Sequence, residues 1–391
     1  MVVMKKSKFI IIFISLLVAG MLLASVLGLI VFNVTGAKIV AADDYSVMTQ
    51  ITEKYYKAEQ LNKLIHDEYY IPADDQELMT GVYKGLFYGL DDPYSEYLTA
   101  SEYEELMINT TGEFEGIGVT ISADDRDNII VVSTVDGSPA EQAGLKTGDI
   151  ITMVDGITYS GKDLSLAAAA IRGGKGTQVV ITYWRDGIVK EMRITRATII
   201  DRTVYSEILD DNIGYIRISQ FENKTGKDFE TELHQLELSG VKGIIIDIRN
   251  NGGGIVEAGL TTADLLLDAG TITYLENNKG EKSFYNSAAG KTNVPYVLLV
   301  NGGTASTSEI VAAAVMDNEG GAIVGTRTFG KGVVQTVKEL TGGDAIKLTI
   351  AQYYSPDGNV IHEKGIEPNY IVEDVENNID EQLEKAIELL K

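Results

Sequence analysis

Two glycine-rich stretches and one lysine carry most of the chemistry this sequence offers. Asn250-Asn251-Gly252-Gly253-Gly254 follows the apolar run Ile244-Ile245-Ile246-Asp247-Ile248. Asn301-Gly302-Gly303-Thr304-Ala305-Ser306-Thr307-Ser308-Glu309 follows Val297-Leu298-Leu299-Val300 in the same way. Both put glycine backbone at the end of a buried strand, the end at which α/β proteins bind ligands. Glycine lets backbone N–H groups come close to a ligand and point at it. Such groups could hold an oxyanion. Taken singly, each loop is read more simply as a helix N-cap. Together with Gly330-Lys331-Gly332 they suggest one cleft that holds a serine and a lysine.

Other chemistries are poorly served. Cysteine is absent, which removes disulfides, thiolate metal sites, iron–sulfur clusters and thiol nucleophiles together. The three histidines are His66, His234 and His362, each read as a surface or satisfied residue. His362-Glu363 is followed by Lys364, Gly365 and Ile366, so H-E-x-x-H is missing and no metal or other cofactor is expected. No serine sits in a G-x-S-x-G elbow, which weakens a Ser-His-Asp arrangement. Ser239-Gly240-Val241-Lys242 has the S-x-x-K spacing but lies in the turn before a strand. Gly325 to Lys331 imitates a phosphate-binding loop, then places Gly332 where Ser or Thr must hold magnesium. The β-branched run Val333-Val334-Gln335-Thr336-Val337 reads as a strand where that motif needs a helix.

The elements that must position these residues follow from periodicity. From Ile213 onward the pattern alternates strands with helices, predicted at Ile255–Leu267 and Ala305–Met316. Ile244–Ile248 and Val297–Val300 read as strands buried on both faces of an α/β core. Ile379, Leu383, Ala386, Ile387 and Leu390 predict a closing amphipathic helix. From Gly112 to Arg196 the texture is short β runs, with hairpin turns at Asp155-Gly156 and Asp186-Gly187 and a helix over Leu164–Ile171. From Tyr45 to Leu106 the pattern is helical, with Leu61, Leu64, Ile65 and Tyr69 on one face.

The net charge is −24, with an isoelectric point near 4.5. Such a field repels phosphate backbones, so nucleic acid is an unsuitable partner. It also repels anionic lipid, so membrane contact must be hydrophobic. The sequence offers such a contact. An uncharged stretch from Phe9 to Phe32, about 24 residues, follows Lys5, Lys6 and Lys8. Roughly 20 residues span a bilayer as a helix. The basic flank places the N-terminus in the cytoplasm and the rest outside, as a single-pass protein of the cell membrane, with cleavage at the signal-peptidase-like Val40-Ala41-Ala42 as the alternative.

The motifs resemble those of the carboxy-terminal processing proteases, the tail-specific serine peptidases of family S41 built around a PDZ domain. Leu90-Asp91-Asp92-Pro93-Tyr94-Ser95-Glu96-Tyr97-Leu98 is similar to that family's L-D-D-P-Y-S-x-Y-L. Gly116-Ile117-Gly118-Val119, Gly137-Ser138-Pro139-Ala140 and Ala143 to Ile151 resemble its PDZ domain. Asp247 to Gly254 resembles D-L-R-N-N-x-G-G, and Gly303 to Glu309 resembles G-S-A-S-A-S-E, with Thr304 and Thr307 as departures. Phe329 to Gln335 resembles F-G-K-G-x-x-Q. The resemblance runs from about residue 60 to the end, and with the patterns above it gives the expected order of a multi-domain α/β protein: a cytoplasmic stub and transmembrane helix over 1–42, a helical region over 43–111, a β-rich PDZ domain with helices over 112–200, an α/β serine protease core of the ClpP/crotonase type over 201–375, and a terminal helix over 376–391.

The resemblance also implies roles. Ser306 is the nucleophile, and Lys331 is the base that must be neutral to accept its proton. A free lysine titrates near about 10.4, so the amine needs an apolar site away from carboxylates. Gln335, four residues on, is expected on the same side of a strand, orienting the amine through its amide oxygen without adding charge. The N–H groups of Gly253 and Thr307 are implied as the oxyanion hole. Gly116, Ile117, Gly118 and Val119 form the candidate loop for a substrate's terminal carboxylate. Arg172 is a candidate for coupling the PDZ domain to the protease. The expected partners are polypeptides with free, apolar C-termini, and a second copy of the chain through the N-terminal helical region. The alternative function is a catalytically silent, membrane-anchored PDZ scaffold, which the presence of Ser306, Lys331 and Gln335 disfavours.

Overall fold

A computed structural model describes residues 6–35, 42–200, 202–373 and 379–391. The chain forms two compact units, Met1–Val82 and Tyr83–Lys391.

The first unit is helical, as its periodicity predicts. It holds α1 (Lys6–Thr35) and α2 (Ala42–Glu68), and α3 (Asp75–Tyr88) begins in it. His66 is satisfied by Asp75, 2.9 Å from its Nε2. In α1 the side chains are described without a break only from Ile12 to Val26, so the expected span Phe9–Phe32 runs past the described residues. Among the described residues no helix is long and apolar enough to cross a membrane.

The second unit opens with a departure from expectation. The segment read as helical contains a strand, β1 (Glu96–Leu98), before α4 (Ala100–Thr111). Three residues are too few to show a strand period. What makes them a strand is distant: Glu96 pairs with Lys347 and Leu98 with Ala345 in the peptidase half of the chain. The L-D-D-P-Y-S-x-Y-L segment is therefore part of the core, not of the N-terminal helical region in which the sequence places it.

Next comes a small β domain. It comprises β2 (Glu113–Gly116), β3 (Val119–Ala123), β4 (Ile129–Thr134), α5 (Pro139–Gln142), β5 (Ile150–Val154), β6 (Ile157–Thr158), α6 (Leu164–Ile171), β7 (Gln178–Arg185), β8 (Ile188–Thr195) and β9 (Ala197–Ile200). One antiparallel sheet runs β3-β4-β5-β7-β8, with β6 on β5, and β2 pairs with β9. Alternation along β7 buries Val179, Ile181 and Tyr183 against Ile129, Ile151 and Ala167. Asp155-Gly156 and Asp186-Gly187 turn as their sequence predicts, all four residues with positive φ. Arg196, nearly buried, closes the C-terminus of α6. Its Nε donates to the Ile171 carbonyl at 2.9 Å and its Nη2 to that of Ala170 at 2.8 Å.

The remaining elements are β10 (Val204–Leu209), β11 (Ile213–Ile218), α7 (Thr225–Leu238), β12 (Gly243–Asp247), α8 (Val256–Leu266), β13 (Gly270–Asn277), β14 (Lys282–Ser287), β15 (Tyr296–Val300), α9 (Thr307–Asp317), β16 (Ala322–Gly325), β17 (Val333–Glu339), β18 (Ala345–Tyr354), β19 (Tyr370–Ile371) and α10 (Glu381–Leu389). One sheet runs β10-β11-β12-β15-β16-β19, parallel except for β10. β12 and β15 are buried throughout, as continuous apolar strands must be. Residues of α7, α8 and α9 share one core with Ile216, Ile244, Ile246 and Leu298. On the opposite face, Ala386, Leu383 and Ile387 of α10 pack with Ile245, Val297 and Leu299. Arg249 anchors α10, with Nη2 2.6 Å from Asp247 Oδ2 and 2.8 Å from Asp380 Oδ2. A second, antiparallel sheet is ordered β1-β18-β13-β14 with β17 on β18; of its strands only β17 is read from the sequence, at Val333–Val337.

The small β domain hides one charge that it must keep. Asp149 is buried, takes the Lys146 N–H at 2.8 Å, and is gripped by the Arg185 guanidinium, Nε at 2.5 Å. Burial works to raise its pKa, but the Arg185 and Lys146 hydrogen bonds outweigh it and hold the carboxyl below the usual range. A folded pKa below the unfolded one gives stability above the unfolded value, about 3.9, that is lost as pH falls through the folded one. Asp149→Asn is expected to lower domain stability by about 2 kcal/mol at neutral pH. The gap should close in acid, read by thermal melting across pH.

Candidate active site

The two glycine-rich loops and the lysine loop do converge. A cavity of about 380 Å³ is lined by Gly253 from the loop after β12, Ser306 at the head of α9, and Lys331, Val333 and Gln335 from the β17 region. Three of the four hydroxyls in the Thr304–Ser308 stretch are committed elsewhere. Thr304 Oγ1 donates to the Ile248 carbonyl at 2.9 Å, Thr307 Oγ1 to Gly254 at 2.9 Å, and Ser308 Oγ to Asn251 at 3.0 Å. All three residues are buried. Ser306 is the one whose side chain faces the cavity. It sits at φ 58° and ψ −120°, a left-handed conformation that strains any residue with a Cβ.

Two buried side chains hold that strained residue to the lysine loop. Glu309 has no exposed surface. Its Oε2 accepts the N–H of Ser306 at 2.9 Å and of Lys331 at 2.8 Å. Its Oε1 accepts the N–H of Gly330 at 2.7 Å and the Thr328 hydroxyl at 2.6 Å. Four donors around one carboxylate let an ion stay buried without a cationic side chain beside it. Tyr353 crosses the same gap, its hydroxyl donating to the Ser306 carbonyl at 2.9 Å and to the Lys331 carbonyl. Burial pushes the Tyr353 phenol well above its ordinary range, so it stays a donor.

The Lys331 amine is held below the usual lysine range. Burial is the main cause and the Lys347 ammonium adds to it, against an opposing pull from Asp92 and Glu309. Among the described residues its Nζ makes no hydrogen bond or ion pair; it lies over the Tyr94 ring, 4.8 Å from the centroid. Gln335 is not where simple alternation puts it. β17 begins only at Val333, and its pairing with β18 shifts register between Val334 and Gln335. Gln335 Nε2 therefore donates to Thr349 Oγ1 at 3.2 Å, and its amide does not reach Lys331 in this arrangement. His362 Nδ1 accepts the Gly332 N–H at 3.3 Å and is a satisfied residue, as its sequence context predicts.

The N–H of Thr307, the first residue of α9, donates to no group among the described residues, as helix geometry allows. Gly253 packs directly on this loop. A Cβ there would lie 2.7 Å from the Ala305 carbonyl oxygen and 2.8 Å from Ser306 Cβ, at φ +98°. Only glycine fits. The Gly253 N–H donates to Asn251 Oδ1 at 2.9 Å, so it is engaged rather than open.

In the small β domain, the Ile117 and Gly118 carbonyls are tied inward. They accept the N–H groups of Ala140 at 2.8 Å and Val135 at 3.0 Å, and Ser138 Oγ bonds Gly118 at 3.1 Å. The N–H groups of Ile117 and Gly118 donate to no group among the described residues. Gly118 takes φ +75°, and a Cβ there would meet Ser138 Cβ at 2.4 Å. Gly116 ends β2 and Val119 opens β3, an edge strand of its sheet. Arg172 does not approach Ser306. It lines a separate cavity of about 590 Å³, shared by Glu113 and Glu115 of this domain, Glu104 of α4 and Asn223 of the core.

Comparison with known proteins decides the family. Residues 212–372 match the model of peptidase family S41, residues 130–185 that of the PDZ domain, and residues 33–102 that of the activating protease CtpB N-terminal domain. The chain is 41% identical over 318 residues to carboxy-terminal processing protease CtpA of Bacillus subtilis, covering 80% of this chain and 68% of that one. The chain belongs to the carboxy-terminal processing proteases of family S41. It is thus a serine peptidase that carries a PDZ domain. The carboxyl-terminal-processing protease of Synechocystis is 38% identical over 316 residues, 77% of this chain and 74% of that one. Among solved structures, photosystem II D1 C-terminal processing protease matches with a TM-score of 0.50 and 29% identity, over 83% of this chain and 89% of that one.

Sequence reasoning found the peptidase's loops but missed Glu309, Tyr353 and Tyr94 as parts of the site. Glu309 closes the Gly303–Glu309 motif, in the first turn of α9, and nothing local to it signals its partners at Thr328, Gly330 and Lys331. Glu309→Gln is expected to leave at least one of four buried donors without an acceptor, each worth about 1–3 kcal/mol. Peptidase activity should fall at least about tenfold with the secondary structure retained, checked by circular dichroism beside a peptide-cleavage assay.

Proposed function

We propose that this peptidase is anchored in the cell membrane by its N-terminal helix, recognises protein C-terminal tails on its PDZ domain, and cleaves with Ser306 and Lys331. The observation that carries the reading is the shared cavity, in which a strained serine lies near a desolvated lysine. Ser306 Oγ attacks the peptide carbonyl and Lys331 takes its proton, then returns it to the leaving amine. Gln335 orients the amine through its amide oxygen, which requires it to leave Thr349. Thr307 N–H and Gly253 N–H hold the oxyanion once Gly253 turns from Asn251. Charge on the tetrahedral oxygen is what would draw it across.

Tail recognition rests on Gly116–Val119. With the Ile117 and Gly118 carbonyls tied inward, their N–H groups are open to a terminal carboxylate, while the peptide adds along β3. Arg172 couples that event to the protease, a role supported by its cavity being shared with Glu104 of α4 and Asn223 of the core. The membrane anchor rests on the apolar composition of Phe9–Phe32 after three lysines, with the catalytic part outside the cytoplasm. Leu61 and Leu64 of α2, about half exposed, are the side chains available to a second copy of the chain. A silent scaffold has no support, since the relatives named above are all proteases.

Ser306→Ala is expected to lower kcat/KM at least about a thousandfold, whereas Ser308→Ala retains most of it. Lys331→Arg keeps the charge but stays protonated, so it should be as inactive as Lys331→Ala. Cleavage of an unfolded protein reads both, and full activity in Ser306→Ala would overturn the assignment. Amidating the substrate's C-terminus removes the charge-assisted hydrogen bonds of the carboxylate. It should weaken binding to Ser306→Ala protein at least about tenfold by calorimetry; equal affinity for acid and amide would sink the carboxylate loop.

A further inference from the structure

The reading above needs Lys331 and Gln335 to face each other and Ser306, yet both are held elsewhere, and by one turn. Asp92 Oδ1 accepts the Tyr94 N–H at 3.0 Å, and its Oδ2 accepts the Ser95 hydroxyl at 2.5 Å. Ser95 Oγ in turn accepts the Thr349 N–H at 2.9 Å, which fixes the turn to β18. From that position Tyr94 presents its ring to Lys331 Nζ. Thr349, the strand partner of Gln335, takes the Gln335 amide on its own hydroxyl. The β1 pairing just beyond, Glu96 with Lys347, keeps the turn seated.

We propose that the Asp92–Ser95 turn is a latch on the catalytic base. Tyr94 holds the Lys331 ammonium over its ring, Thr349 holds the Gln335 amide nitrogen, and displacement of the turn releases both. Tyr94 and Thr349 are thus positioning residues of the peptidase, a role that rests on Lys331 being its base. The physics favours storage of the ammonium form, because the negative face of an aromatic ring attracts a cation and not a neutral amine. The other groups facing the amine set the balance. Lys347 of β18 and burial oppose the charge, whereas Asp92 and Glu309 of α9 favour it. Of Lys331, Tyr353 meets the carbonyl and not the amine, and the His362 ring packs edge-on to that of Tyr94, centroids 6.3 Å apart.

The test reads the amine directly, so that it does not depend on turnover. Lysines of the full-length Ser306→Ala protein are methylated with carbon-13 formaldehyde, and the Lys331 signal, assigned by its loss in Lys331→Arg, is followed by NMR as pH rises. Tyr94→Leu should titrate roughly half to one pH unit lower than the parent, and Tyr94→Phe should superimpose on it. In protein with Ser306 intact, the rising limb of kcat/KM should move by the same amount for Leu and stay for Phe. If Tyr94→Leu fails to fold, tetrafluorophenylalanine at position 94 keeps the shape, removes the negative face, and should shift the titration likewise. Thr349→Val should raise kcat several-fold with KM unchanged. An unmoved Lys331 titration in the Leu or fluorinated protein overturns the latch. An active Lys331→Ala enzyme would instead overturn the base assignment, so the two failures are distinct.

Discussion

One buried carboxylate holds this site together. Glu309 joins the N–H groups of Ser306, Gly330 and Lys331 and the Thr328 hydroxyl, and so binds the head of α9 to the loop before β17. The first follows β15 of the parallel sheet, and the second runs from β16 of that sheet into β17 of the antiparallel one. Without a common acceptor, four donors would be unpaired and only Tyr353 would still hold the strained Ser306 to the lysine loop. The backbone N–H groups satisfy the ion while adding no cationic side chain next to the lysine. Tyr353 repeats the crossing on the carbonyl side with a neutral group.

That arrangement creates an electrostatic conflict that the rest of the site must balance. A buried anion near Lys331 favours the ammonium, and so does Asp92, while catalysis by a lysine requires the free amine. Burial and the Lys347 ammonium tip the balance the other way. Of the four influences on the amine, the pull of Glu309 is the weakest. In this arrangement Lys331 lies over Tyr94 and the Gly253 N–H is turned to Asn251, while the Ser306 backbone is strained.

How much of this the sequence disclosed depends on distance along the chain. Local signals were legible: the apolar runs of β12 and β15, the Asp-Gly turns, the helix over Leu164–Ile171, and the failure of the phosphate-loop imitation at Gly332. The motifs around Gly253, Ser306 and Lys331 were legible as loops that would share a cleft. What was hidden required partners remote in sequence. Three residues at Glu96–Leu98 become a strand only because Ala345–Lys347 lies opposite. Alternation placed Gln335 beside Lys331, but a register shift in a pairing invisible to composition sent its amide to Thr349. Glu309 reads locally as an acid at a helix start, and only the fold brings Gly330 and Lys331 to it.

The central claim is that Ser306 attacks and Lys331 activates it. The most direct measurement is trapping of the acyl-enzyme with a slowly deacylating peptide ester, located by mass spectrometry of the digested protein. The account expects one acyl group, on the peptide containing Ser306 and at that residue, formed by the native chain and not by Lys331→Arg. Acylation of Ser308, or equally fast acylation in Lys331→Arg, would contradict it.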